Sequence, residues 1–235
     1  MKIKQIELQT SLVYELKEFY TQILGFPLIE SDADTYFSCQ TGSSVLGFRK
    51  GASQAACYHF AFNIAENQLD VALAWLKHRN IQCCSFNEKE VIDFPNWNAH
   101  ALYFLDPAGN VVEFIARHDL ENTTTEEPFT THQILEISEI GLPVTNIKTF
   151  YQSLQAALQI PIYSQISNLK SFCAAGDAQG LFILVPLERN WFPTEVKNGI
   201  YPTKIWIESE QDSVFELGGL PYQITALRQD RPQTK

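Results

Sequence analysis

The feature that most constrains this chain is the recurrence of one short pattern: a strand, a helix, then three strand-like pieces. The first copy opens with alternating residues at 2–9 (KIKQIELQ). Ile6 and Leu8 point one way; Ile3, Gln5, Glu7 and Gln9 point the other. A helix is predicted over 12–24, with Leu16, Phe19, Tyr20, Ile23 and Leu24 at helical spacing and Gly25 and Pro27 as stop signals. Strand-like pieces follow near 27–30, 35–39 and 44–49. The second copy has a strand at 58–64 and a helix at 67–79, whose Leu69, Ala72, Leu73 and Leu76 form one apolar face. Its further strands lie near 90–94, 99–105 and 111–116, with a strong Asp106-Pro107-Ala108-Gly109-Asn110 turn between the last two.

A third copy begins with a strand at 133–144 and a helix at 145–158, then strand-like pieces near 162–165, 170–174 and 181–185. An ungapped offset of 134 lays LGFP (24–27) on LQIP (158–161) and Leu8 on Leu142. A fourth copy opens at 203–208 but lacks a helix-length amphipathic stretch and ends in the short strand PYQITAL. The expected fold class is therefore α+β, made of repeated βαβββ modules. One complete two-module domain spans 1–118, a Thr- and Glu-rich linker 119–132, an incomplete domain 133–227 and a flexible tail 228–235.

Composition narrows the function classes. The chain of 235 residues is 45% hydrophobic and 19% charged, which is globular, and no apolar run approaches membrane-span length. A net charge of −10 repels phosphate backbones and anionic membranes, so neither nucleic acid nor membrane is an expected partner. Five cysteines with no CxxC and no secretory signal point to reduced thiols and a cytoplasmic location. Without a secretory route, the Asn122-Thr123-Thr124 sequon carries no weight.

The stretch FYTQILGFPLIE and the hairpin YFLDPAGNVVEF resemble the vicinal oxygen chelate superfamily, which includes glyoxalase I, extradiol dioxygenases and bleomycin-resistance proteins. The resemblance is strong over 1–118, weaker over 133–208 and scarcely present beyond. It implies that paired modules curl into a U-shaped barrel around a metal held by first-strand and last-strand side chains. Carried over residue by residue, the ligand positions fall on Gln5, His59 and Glu113. Strand alternation agrees, since each stands opposite packing neighbours: Ile6 and Leu8, Phe60 and Phe62, Val112 and Phe114.

Gln5 departs from the His–His–Glu set of ring-cleaving dioxygenases. The fourth carboxylate of glyoxalase I is missing too, since Val45 or Gly47 stands near its place; Glu7 is a substitute acidic oxygen. The implied cofactor is a divalent metal (Fe, Zn, Ni or Mn); a metal-free pocket with the three side chains hydrogen-bonded together is equally consistent. Glu113 and Tyr103 are candidate catalytic groups, and Trp97, His100 and Glu7 candidate substrate contacts. Arg117 and His118, at the end of the last strand, read as an exposed strand end or as contacts for an anionic substrate, and Glu139, at the Gln5 place of the third copy, as a lone polar residue. The RNWFPT stretch at 189–194 reads as a lid or as cover for a sheet edge.

Three functions follow as expectations. One is a metal-dependent lyase, isomerase or dioxygenase acting on a small oxygen-rich molecule. Another is metal-free sequestration of an aromatic or cationic small molecule, of the bleomycin-resistance type. The last is an interaction protein whose truncated half provides an interface, for example in a homodimer.

Overall fold

The computed structural model describes residues 1–51, 56–125, 128–163 and 167–228. The first module comprises β1 (Ile3–Thr10), α1 (Val13–Glu18), β2 (Leu28–Asp32), β3 (Tyr36–Thr41) and β4 (Ser44–Lys50). The second has β5 (His59–Ile64), α2 (Leu69–His78), β6 (Ile92–Phe94), β7 (Ala99–Leu105) and β8 (Val111–Arg117). The third has β9 (Ile134–Val144), α3 (Ile147–Leu158), β10 (Cys173–Asp177) and β11 (Gly180–Pro186). The fourth has β12 (Thr203–Ser209), β13 (Ser213–Glu216) and β14 (Tyr222–Arg228), with no helix between β12 and β13.

The fourteen strands of the described residues join one sheet, and their pairing differs from the tandem arrangement expected of the sequence. The first module pairs with the fourth, β1 running antiparallel to β12. The second pairs with the third, β5 running antiparallel to β9. The two half-sheets thus read β2-β3-β4-β1-β12-β14-β13 and β6-β7-β8-β5-β9-β11-β10. They meet where β1 touches β9 at Ile3 and Ile137. Residues 1–118 therefore do not close on themselves: each of their first strands takes its antiparallel partner from the C-terminal half.

Alternation along the strands divides the buried residues between two faces. Leu8, Phe48, Phe60, Phe62, Phe104 and Phe114 form one large core with the helices. On the opposite face of the second half-sheet, Ala61, Ala99, Ala101, Ile115 and Ile183 are buried together. Three alanines there, where the other face carries phenylalanines, leave room for a cavity.

Two expectations are refined. The helix predicted over 12–24 is α-helical only to Glu18 and continues as a π turn over Phe19–Ile23. That turn buries Phe19 and Tyr20, and the Tyr20 hydroxyl donates to Asp106 Oδ2 at 2.8 Å. The 119–132 stretch is more than a solvated connector: Phe129 is buried against Trp75 and Phe114, and Asn122 accepts the Glu66 backbone N–H at 2.9 Å. Of the strand expected at 162–165, Ile162 bridges Ala175; residues 164–166 lie outside the described residues. The tail expected over 228–235 lies outside them too, apart from Arg228. No described helix is long and apolar enough to cross a membrane.

Candidate functional site

The site forms on the concave face of the second half-sheet. His59 opens β5, Glu113 lies mid-β8 opposite Ala61, and Glu139 lies on β9, also opposite Ala61. Their ligand atoms all fall within 4.8 Å of one another, and all three side chains are buried. His59 Nδ1 stands 3.1 Å from the Val111 carbonyl oxygen, which can only accept, so Nδ1 carries the ring proton. Nε2 then presents a bare lone pair, 3.5 Å from Glu113 Oε2 and 4.0 Å from Glu139 Oε2.

Burial makes charge in this cluster expensive. It lowers the His59 pKa to about 4, so the ring is neutral at pH 7. It pushes the Glu113 carboxyl well above the usual range, and the neighbouring Glu139 charge pushes it further, against the pull of the Tyr103 hydroxyl and Arg117. Glu139 is raised by burial too, but the Arg117 guanidinium opposes that rise. Three acceptor atoms turned on one another need a proton or a cation between them. One imidazole nitrogen and two carboxylate oxygens form a donor set suited to Fe, Mn, Zn or Ni, and the His59 tautomer held by Val111 is the one a metal requires. The residues present therefore fit a divalent ion.

Above the cluster opens a cavity of about 400 Å³ lined largely by aromatic side chains, with Phe94, Trp97, Tyr103, Phe172, Trp191 and Phe192 in its walls and Arg189 beside them. The Trp191 ring lies 5.2 Å from His59 and rests on Gly141, where an added Cβ would run into the indole. Phe192 packs against Phe86, Phe94 and Tyr103. The 189–194 stretch thus contributes cavity wall.

Several sequence expectations change. Gln5 does not line the cavity; on β1 it stands between Val45 and Trp206, because β1 pairs with β4 and β12. Glu139 of β9 stands with His59 and Glu113 instead, so the reading of Glu139 as a lone polar residue is corrected. Glu7 accepts from Arg49 at 2.9 and 3.0 Å and pairs with Lys204 at 3.1 Å. Burial alone would raise its pKa, but Arg49 and Lys204 hold it below the ordinary value, so Glu7 is committed to ion pairs. His100 alternates with Ala99, Ala101 and Tyr103 and so leaves the concave face; its Nδ1 meets His118 Nε2 at 2.9 Å.

Arg117 is no exposed strand end. It is fully buried and its Nη2 donates to Glu139 Oε1, while Nε and Nη1 have no hydrogen-bond partner among the described residues. A signal was available in the sequence, since 113, 115 and 117 share one strand face. Trp97, in the turn before β7, and Tyr103, on β7, both line the cavity. The five cysteines are unpaired, and Cys39, Cys83 and Cys173 are buried.

The sequence matches no family model and no curated protein. Solved structures do match. A candidate dioxygenase from Bacillus subtilis subsp. subtilis str. 168 aligns over 96% of this chain and 85% of its own, with TM-score 0.65 and 14% identity. A variant of glyoxalase I from Zea mays aligns over 97% of this chain and 93% of its own, with TM-score 0.59 and 11% identity. At these identities the likeness speaks to the fold, and both structures span all four modules. The chain has the α+β fold of the vicinal oxygen chelate superfamily, built from repeated βαβββ modules.

Proposed function

We propose that the cavity of the second half-sheet binds a small oxygen-bearing molecule beside a divalent metal held by His59, Glu113 and Glu139, for lyase, isomerase or dioxygenase chemistry. The observation that carries this reading is the bare His59 Nε2 turned on two buried carboxylates at the base of an aromatic cavity. When bound, such an ion supplies Lewis acidity toward substrate oxygens. The protein's own groups do the rest. Trp97, Trp191 and Phe192 position a flat or apolar body and exclude water. Tyr103, also kept protonated by burial, offers a hydroxyl to a substrate oxygen, and Glu113 is the carboxylate best placed to hold a proton when the metal is away.

The test is metal uptake by the full-length protein. One equivalent of Fe, Mn, Zn or Ni should bind, and Glu113→Gln and His59→Gln should each weaken binding by at least about 100-fold. A wild-type protein that takes up none of the four overturns the reading. One observation favours the second reading, metal-free sequestration: Arg117 already balances Glu139, so a proton on Glu113 closes the charge account without metal. That reading requires ligand binding to survive EDTA.

A further inference from the structure

Arg117 stands out among the described side chains. It is fully buried, one of its nitrogens is committed to Glu139, and the other two meet no acceptor among the described residues. Its guanidinium lies 5.2 Å from the Trp97 ring and 5.7 Å from that of Tyr163. A guanidinium keeps its charge in any protein surroundings, so that charge has to be counted. His59 contributes none, because its ring proton sits on Nδ1 against Val111 and Nε2 is bare. Glu113 and Glu139, as ligands, contribute two negative charges, which a divalent ion cancels. The Arg117 charge remains over. We infer that Arg117 makes the filled cavity a site for a singly charged anion, with an apolar or aromatic body against the aromatic walls.

This rests on the divalent-ion reading above. The physical reason is that a net charge enclosed by aromatic walls is poorly solvated, and a bound anion compensates it. A second guanidinium, that of Arg189, is exposed to solvent at the cavity, so water screens its charge and it stays outside the count. Arg189 lines the cavity, with Nη1 donating to the Ser171 carbonyl at 3.0 Å.

The test compares benzoate with benzamide, nearly equal in size but different in charge, binding to the full-length protein saturated with Zn²⁺. Wild type should prefer benzoate by about tenfold or more, and Arg117→Met should bring the two near parity. Arg117→Lys, which keeps the charge, should keep the preference. The Arg117→Met/Glu139→Gln double variant should restore it, because removing one negative charge returns the count to its starting value. A merely structural arginine would leave the double variant no better than the single one. If Arg117→Met does not fold, Glu139→Gln and the double variant differ by the same single charge, and the preference should be weaker in the double. An unchanged preference in Arg117→Met, or no recovery in the double variant, overturns the inference. If wild type takes up none of Zn, Fe, Mn and Ni, the metal reading falls and this inference with it; if it takes up one of the others and not Zn²⁺, that ion replaces Zn²⁺ in the comparison. If Zn²⁺ binds but benzoate is not preferred, the inference alone falls.

Discussion

A buried imidazole that folds neutral leaves a signature in the pH dependence of stability. The His59 pKa lies at about 4 in the folded chain, against 6.5 for a free ring. The unfolded chain therefore binds the extra proton first. The stability tied to neutral His59 is present above pH 6.5 and is lost as pH falls toward 4. The full loss is on the order of 3 kcal/mol. Urea midpoints of the metal-free protein across this interval should fall more steeply for wild type than for His59→Asn; parallel curves would contradict the assignment. His59 and Glu113 were legible in the sequence because each alternates with large apolar neighbours on a clear strand. Arg117 is not legible as a buried residue, because a charged residue at a strand end is ordinarily solvated and its burial depends on Glu139, Trp97 and Tyr163 from distant segments.

At the scale of elements, the cavity depends on one close approach. Gly141 of β9 lies beneath Trp191, in the loop between β11 and β12, and has no room for a Cβ. Gly141→Ala should push the indole away from His59, cost about 1–3 kcal/mol of stability and weaken ligand binding more than metal binding. Thermal melts alongside separate metal and ligand titrations check this; equal losses in both titrations would mean that the strand itself had moved. Gly42 makes another close approach, with φ +61° and backbone packed on Leu135. There even alanine meets a backbone carbonyl, so Gly42→Ala should lower the melting temperature sharply without a selective effect on ligand. The elements themselves were largely readable, the helix over 67–79 above all, from its apolar face. The π turn at Phe19–Ile23 was not, because it arises where Phe19 and Tyr20 are drawn into the core and Tyr20 reaches Asp106, 86 positions away in the chain.

For the whole molecule, the interleaved pairing makes the two halves of the chain interdependent. A fragment ending at residue 118 would keep β1 and β5 but lose β12 and β9, their antiparallel partners. It should be aggregated or poorly protected in amide exchange, since unpaired interior strands expose both backbone and apolar surface. Co-expression of 1–118 with 119–235 should recover soluble, metal-binding material. A well-folded 1–118 fragment that binds metal alone would count against the interleaving. The first half-sheet also shows how a site position can be closed: Glu7 is held by Arg49 and Lys204, with Arg49 stacked 4.4 Å above Tyr36.

By itself the sequence determined the modules, their order and the faces of their strands, because alternation, helical spacing and turn chemistry act over a few neighbouring residues. It also placed His59 and Glu113 on a common concave surface. Which modules pair was decided only by the tertiary structure, because antiparallel partners for β1 and β5 are chosen by long-range packing that leaves no local trace. That choice exchanged Gln5 for Glu139 beside His59 and Glu113 and brought Arg117 against Glu139, so the chemistry of the site depends on an association that no single segment encodes.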